Sequence, residues 1–243
     1  MKKICMSARK GIILVILLIL GLPVMSQKSK PKNMIMADYQ IFHFGYSIGL
    51  NTSGFTVVPK PGYTFDLLRN PGININLITD YRLNKYMDLR FLPGIQFGQR
   101  DLTVRDLGKD SISTWSIESI CLDFPILVKY RSQRVNNYAP YVIGGINPRV
   151  DLQGSIGKTF QKATRLLRPY DLYVELGVGC DFYIAMAKVA MELKFSVGML
   201  DLMPVPTDNF YKLADPKFFQ YVSSIDQIFS RMVVLSFHVE QSK

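Results

Sequence analysis

In the C-terminal half of the chain, neighbouring residues of each strand-like run alternate between two chemistries. Across Leu172–Ile184 the even positions are Leu172, Val174, Leu176, Val178, Cys180, Phe182 and Ile184, and the odd ones are Tyr173, Glu175, Gly177, Gly179, Asp181 and Tyr183. Val189–Met199 repeats the pattern, with Val189, Met191, Leu193, Phe195, Val197 and Met199 against Ala190, Glu192, Lys194, Ser196 and Gly198. Successive strand side chains point to opposite faces, so each run is a strand with one apolar and one polar face. A bilayer admits strands only as a closed barrel, its apolar face towards lipid and its polar face towards the lumen. The pattern therefore predicts a membrane-embedded β-barrel.

The N-terminus supplies the compartment. Lys2, Lys3, Arg9 and Lys10 precede an apolar run from Gly11 to Leu22, which Pro23 breaks before Val24-Met25-Ser26. This reads as a secretory signal peptide, residues 1–26, cleaved before Gln27. The run falls short of the ~20 residues that a spanning helix needs. Its removal takes four basic and no acidic residues, lowering the net charge from +10 to +6. The remaining basic residues are interspersed with acids, so nucleic acid is not an expected partner. Residues 27–40 are expected to form a periplasmic tail and residues 41–243 the barrel.

Eight runs can be marked: Phe42–Asn51, Ile73–Arg82, Met87–Asp101, Trp115–Arg131, Tyr138–Val150, Leu172–Ile184, Val189–Met199 and Arg231–Glu240. The connections alternate between short (Leu83–Tyr86, Ser132–Asn137, Ala185–Lys188) and long (Thr52–Gly72, Leu102–Thr114, Leu152–Tyr170, Asp201–Ser230). Short periplasmic turns and long external loops are the expected asymmetry. The predicted fold is all-β: an eight-stranded antiparallel transmembrane up-and-down β-barrel with long external loops. Pro93, Pro125, Pro140 and Pro148 fall inside runs, where each removes a ladder hydrogen bond, so bulges or strands extended above the membrane are expected there. Inward glycines are expected to make room for large luminal neighbours.

Alternation turns charges of both signs inward, among them Asp80, Arg82, Asp88, Arg90, Asp123, Lys129, Glu175, Asp181, Glu192 and Lys194. They could form an ion path, but an eight-stranded radius favours a salt-bridged plug. The lumen network is assigned to Asp88, Arg90, Glu175, Asp181, Glu192 and Lys194. His43 and His238, the only histidines, face inward near the closing seam without enough ligands for a metal site. Alternation places Cys121 on the polar face and Cys180 on the lipid face, where no disulfide could join them.

Lys158, Lys162, Arg165 and Arg168 make the third long loop basic, and such clusters can pair with lipopolysaccharide phosphates. In the fourth loop, Asp215-Pro216 is a helix-start pair, followed by Phe218, Val222, Ile225 and Phe229 at helical spacing. That stripe could dock a partner or fold against its own loops. No catalytic motif appears, and no cofactor is expected.

The strings from His43 to Asn51, Asp88 to Arg100 and Glu118 to Arg131, with Tyr141–Gly145, Asp181–Tyr183 and Ser236–Glu240, resemble the PorT family over essentially the whole mature chain. The resemblance implies a non-enzymatic outer-membrane component of the type IX secretion system. That system exports proteins bearing a C-terminal signal domain, including secreted proteases, so other secretion-system subunits are implied as partners. A soluble lipocalin-like carrier, with its apolar residues inside, and a generic structural outer-membrane barrel are the alternatives.

Overall fold

The computed structural model describes residues 33–34, 39–106, 111–152, 168–184, 187–203 and 224–241, with residues 66–68, 102, 104–106 and 111–118 described by their backbone alone. Ten strands follow in chain order: β1 (Phe42–Pro59), β2 (Tyr63–Arg82), β3 (Met87–Phe91), β4 (Gly94–Asp106), β5 (Ser111–Asp123), β6 (Ile126–Arg131), β7 (Tyr138–Asp151), β8 (Tyr170–Tyr183), β9 (Lys188–Gly198) and β10 (Ile225–Gln241). All pair antiparallel in one sheet, and the pairings of β1 with β2 and of β7 with β6 close it on itself. Because β3 runs on into β4 and β5 into β6, the ten strands make eight passes, as the alternation predicts. Among the described residues no helix is long and apolar enough to cross a membrane.

The two divided passes owe their interruptions to proline. Leu92-Pro93 separates β3 from β4, and Phe124-Pro125 separates β5 from β6. Their carbonyls stay in the ladder: Leu77 N–H donates to Pro93 (2.9 Å), Leu92 N–H to Pro125 (3.1 Å) and Phe124 N–H to Pro148 (3.0 Å). The three prolines thus mark a diagonal seam across neighbouring passes. Luminal amides repair it, since Asn76 Nδ2 donates to the Leu92 carbonyl and Asn147 Oδ1 accepts from Phe124 N–H. At Pro140 and Pro148 the pairing of β7 with β8 continues without the expected bulge. The register shifts lie elsewhere, between Arg69 and Ile73 on β2 and at Val58/Pro59 on β1.

The first two long connections are corrected by the structure. β1 continues to Pro59 and β2 begins at Tyr63, so Thr52–Gly72 is mostly hairpin, turned over Lys60–Gly62 with Gly62 at φ 93°. β4 and β5 likewise reach Asp106 and Ser111. Cross-strand pairing extends these strands past the end of the apolar code.

Outside, the barrel presents Phe44, Ile48, Leu50, Ile75, Leu77, Leu176, Val178 and Phe195, each at least half exposed. On β1 this apolar series spans Phe42 to Leu50. Nine residues at about 3.3 Å each, tilted by about 40°, rise through roughly 23 Å, close to the apolar band of an outer-membrane barrel. Charge lies inside, the inverse of the order a lipocalin-like carrier requires.

Candidate functional site: the charged lumen

Three layers of side chains fill the barrel. Nearest the short turns, Arg90 on β3 stands opposite Asp80 on β2. Its Nε and Nη2 donate to the two Asp80 oxygens at 2.7 and 2.6 Å. Nη2 also donates to Glu240 (2.9 Å) and Nη1 to Glu192 (3.2 Å). One fully buried guanidinium therefore ties together carboxylates from β2, β9 and β10. This use suits the planar fork of arginine and not the point charge of lysine. Nη1 also lies 3.2 Å from His238 Nδ1. A guanidinium cannot accept, so this contact is a hydrogen bond only if Nδ1 carries the lone pair.

Lys129 on β6 donates to both oxygens of Asp181 on β8, at 2.9 and 2.8 Å. Lys188 on β9 bonds Glu240 at 2.6 Å and lies 3.5 Å from Asp181. Lys194 lies 3.4 Å from Glu175 and 3.7 Å from Glu192. Desolvating such charges costs several kcal/mol each, which pairing and hydrogen bonding offset. Lys129 and Lys188 are both paired and hydrogen-bonded, whereas Lys194 faces Glu175 Oε2 and Glu192 Oε1 through ion pairs alone.

Tyr141 roofs this layer. Its hydroxyl donates to Glu192 at 2.7 Å, and its ring centroid lies 3.9 Å from Lys129 Nζ. The ring passes over Gly179, its cross-strand neighbour, where an added Cβ would come within 2.4 Å of Tyr141 Cζ. Glycine is needed at that position for space. Beside it lies an apolar layer of Ile78, Leu92, Leu127, Ile143 and Ala190. Towards the loops, Arg149 bonds both oxygens of Asp123 (2.5 and 3.0 Å) with its guanidinium over Tyr173, while Arg100 bonds Ser119, Ser230 and Asp151.

The structure brings Arg90 and Glu192 into contact and links Glu175 and Glu192 through Lys194. Asp181 enters through Lys129 and Lys188. Asp88 lies apart, 3.6 Å from Arg82 and 3.7 Å from Arg131. The sequence assignment missed Lys188, Glu240, Tyr141 and Arg149. Lys188 shares the even parity of Glu192 and Lys194, and Glu240 that of His238. Lys188 was therefore readable by extending its run one step, and Glu240 from parity within its own run. Tyr141 and Arg149 belong to the least regular run.

His43 and His238 are both buried; His43 lies opposite Asp80 on β2 and His238 opposite Ser47 on β1. Cys121 is buried and Cys180 half-buried, both as free thiols. The helical stripe is corrected. Ile225 and Phe229 belong to β10, with Ile225 buried and paired to Pro59, so pairing against β1 overrides the helical periodicity. Phe218 and Val222 lie outside the described residues, as do Lys158, Lys162 and Arg165; Arg168 is exposed.

Residues 25–203 match a family model described as outer membrane protein beta-barrel domain. Among solved structures the chain is similar to the outer membrane protein OprG from Pseudomonas aeruginosa, at 9% identity over 83% of this chain and 96% of that one, with a TM-score of 0.45. Neisserial surface protein A aligns at 10% identity over 81% and 96%, with a TM-score of 0.42. Ail, the attachment invasion locus protein of Yersinia pestis, aligns at 11% identity over 83% and 99%, with a TM-score of 0.35. The search of curated proteins returned no match.

Proposed function

This chain belongs to the outer membrane protein β-barrel domain family, and from that premise we propose that it is a non-enzymatic component of the type IX secretion system. In this reading it supports export of signal-domain-bearing proteins through contacts with other subunits and does not itself conduct cargo. The observation that carries the accessory role is the filled lumen: Arg90, Lys129, Asp181 and Glu192 are each completely buried at its centre. A protein passing through would have to break all of their ion pairs. The resemblance of the strings at His43–Asn51, Asp88–Arg100 and Glu118–Arg131 to the PorT family supports the choice of machine. The basic loop of Lys158, Lys162, Arg165 and Arg168 adds a proposed contact with lipopolysaccharide phosphate.

Deleting the gene and assaying the medium for signal-domain cargo tests the proposal. Cargo should stay in the cells, and the full-length chain in trans should restore export. Complementation by a folded variant neutralised at Lys194 should restore it as well. Undiminished export in the deletion strain would leave an outer-membrane barrel without this role.

A further inference from the structure

The segment that precedes β1 touches the barrel at two separate places on the short-turn side. At its near end the Ile41 carbonyl accepts from Arg82 N–H (2.8 Å), which holds it beside β2. Further back, Asn33 and Met34 lie half-buried against the turn between β6 and β7 and the end of β8. In the closed strand order β1 and β7 are the first and fifth of the eight passes, so the two attachments stand on opposite walls. In an outer-membrane barrel the short turns face the periplasm.

The second attachment is built as a peptide site. Asn137 Oδ1 accepts from the backbone N–H of Asn33 (2.9 Å), and Arg134 Nη2 donates to the backbone carbonyl of the same residue. Asn33 Nδ2 donates in turn to the Tyr183 carbonyl (3.2 Å). Two of these three bonds read main-chain groups that every residue except proline carries. The side chains that read them are themselves fixed. Arg134 lies 3.8 Å from the Tyr183 ring centroid, and its guanidinium also donates to the Asn136 carbonyl (2.8 Å) and to Asn137 Oδ1 (2.9 Å). Asn136 turns the chain there at φ 54°, a conformation that asparagine tolerates. Beside them Ala139 and Tyr183 form a small buried apolar cluster on which Met34 packs. Met34 itself holds φ 52°, a left-handed backbone that a residue with a side chain keeps only where surrounding contacts determine it.

We propose that the periplasmic mouth carries a peptide-docking site, formed by Arg134, Asn137, Ala139 and Tyr183, whose resident occupant is the chain's own N-terminal segment at Asn33–Met34. Arg134 and Asn137 grip the main chain, and the Ala139–Tyr183 surface takes the apolar side chain that follows. Tethering favours the resident. A ligand on the same chain acts at a roughly millimolar effective concentration, so a free peptide of equal affinity competes poorly. The site is therefore self-occupied, and another periplasmic segment gains it only after the resident is released. The inference rests on the geometry of the mouth and holds whichever export role the barrel serves.

The test uses the folded full-length protein in detergent micelles and solution NMR of methionine methyls and tyrosine rings. The parent should show nuclear Overhauser effects from the Met34 methyl to the Tyr183 ring and the Ala139 methyl. Asn33→Pro removes both the donated N–H and the side-chain amide, and Arg134→Gln removes the donor to the Asn33 carbonyl. Each should abolish those effects while luminal resonances stay unchanged, and Asn33→Ala, which keeps both main-chain bonds, should retain them. A fluorescein-labelled peptide with the sequence of Lys30–Ala37 should bind N33P about tenfold or more tightly than it binds the parent, because the site is intact and its resident weakened. Heat-modifiable gel mobility would confirm folding, and Asn33 lies outside every strand, so N33P keeps the test clean if R134Q loosens the turn. A Met34 methyl without contacts to the barrel in the parent, contacts that persist in N33P, or equal peptide binding by N33P and the parent would each overturn the proposal.

Discussion

The half of the barrel nearest the short turns and the half nearest the long connections follow different rules. In the turn half every pass has a partner on both sides, and the interior is packed with paired charge. In the loop half β1, β2, β4, β5 and β10 continue while β7 stops at Asp151 and β9 at Gly198. β5 meets β7 only through Cys121–Asp123, so among the described residues Ser111–Ser119 pair with β4 alone. The outward apolar series on β1 ends at Leu50, nine residues before the strand does at Pro59. Strand formation and burial in lipid are therefore separate signals in this chain. Pairing carries strands beyond the membrane, and apolar alternation marks only the part within it.

If the turn half depends on its paired charges, removing their hub is the most damaging single change. Arg90→Met would strip the buried guanidinium that joins Asp80, Glu192 and Glu240, leaving those carboxylates without it. The expected loss is about 3–5 kcal/mol. It is read as a lower urea midpoint for the heat-modifiable folded form in micelles. Arg90→Lys should recover only part of the loss, because one ammonium cannot reproduce the fork on Asp80 and still reach two glutamates. An R90M midpoint matching the parent would show that this half does not depend on its charge network.

A matched pair of outward substitutions sharpens the boundary between the halves. Val178 lies in the apolar belt and Val58 beyond it, and both side chains are exposed. Val178→Arg should cost about 2–4 kcal/mol, because arginine near the bilayer midplane is expensive. Val58→Arg should stay within about 0.5 kcal/mol, as surface changes usually do. Equal costs at the two sites would erase the boundary placed above Leu50. Inside the turn half, Gly179→Ala should cost about 1–3 kcal/mol, since the new methyl would push the Tyr141 ring away from Lys129 and Glu192. Reduced burial of tyrosine in near-ultraviolet dichroism would accompany that loss.

The alternation that distinguishes inside from outside was legible because parity along a strand is a strict rule: once Val178 points out, Glu175, Asp181 and Tyr173 point in. The eight passes followed from the same parity and from turn residues such as Leu83–Tyr86. Who pairs with whom was not legible. Parity places Arg90 and Glu192 inside, but their contact depends on the height at which separate passes meet, which shear sets. Strand ends were misplaced where the exterior loses its apolar code, at Thr52–Gly72, although Pro59-Lys60-Pro61-Gly62 carried a turn signal. The stripe through Ile225 and Phe229 has helical spacing, yet hydrogen-bond partners on β1 decided its conformation.

The gentlest probe of the comparison disturbs no side chain. In an antiparallel pair the amides of one strand point alternately to its two neighbours. Along Ser111–Ser119 about half should bond β4 and half should face the side where no described strand pairs. Hydrogen exchange should therefore alternate along this stretch, with amides on that side exchanging at the low-protection limit. Amides of β6 (Ile126–Arg131), paired to both β3 and β7, should exchange near the rate set by global opening. Exchange resolved to single amides in micelles would display the contrast within one pass, since β5 and β6 are its upper and lower parts. Uniform protection from Ser111 to Arg131 would mean that a further strand completes the loop half, and the two halves would then obey one rule.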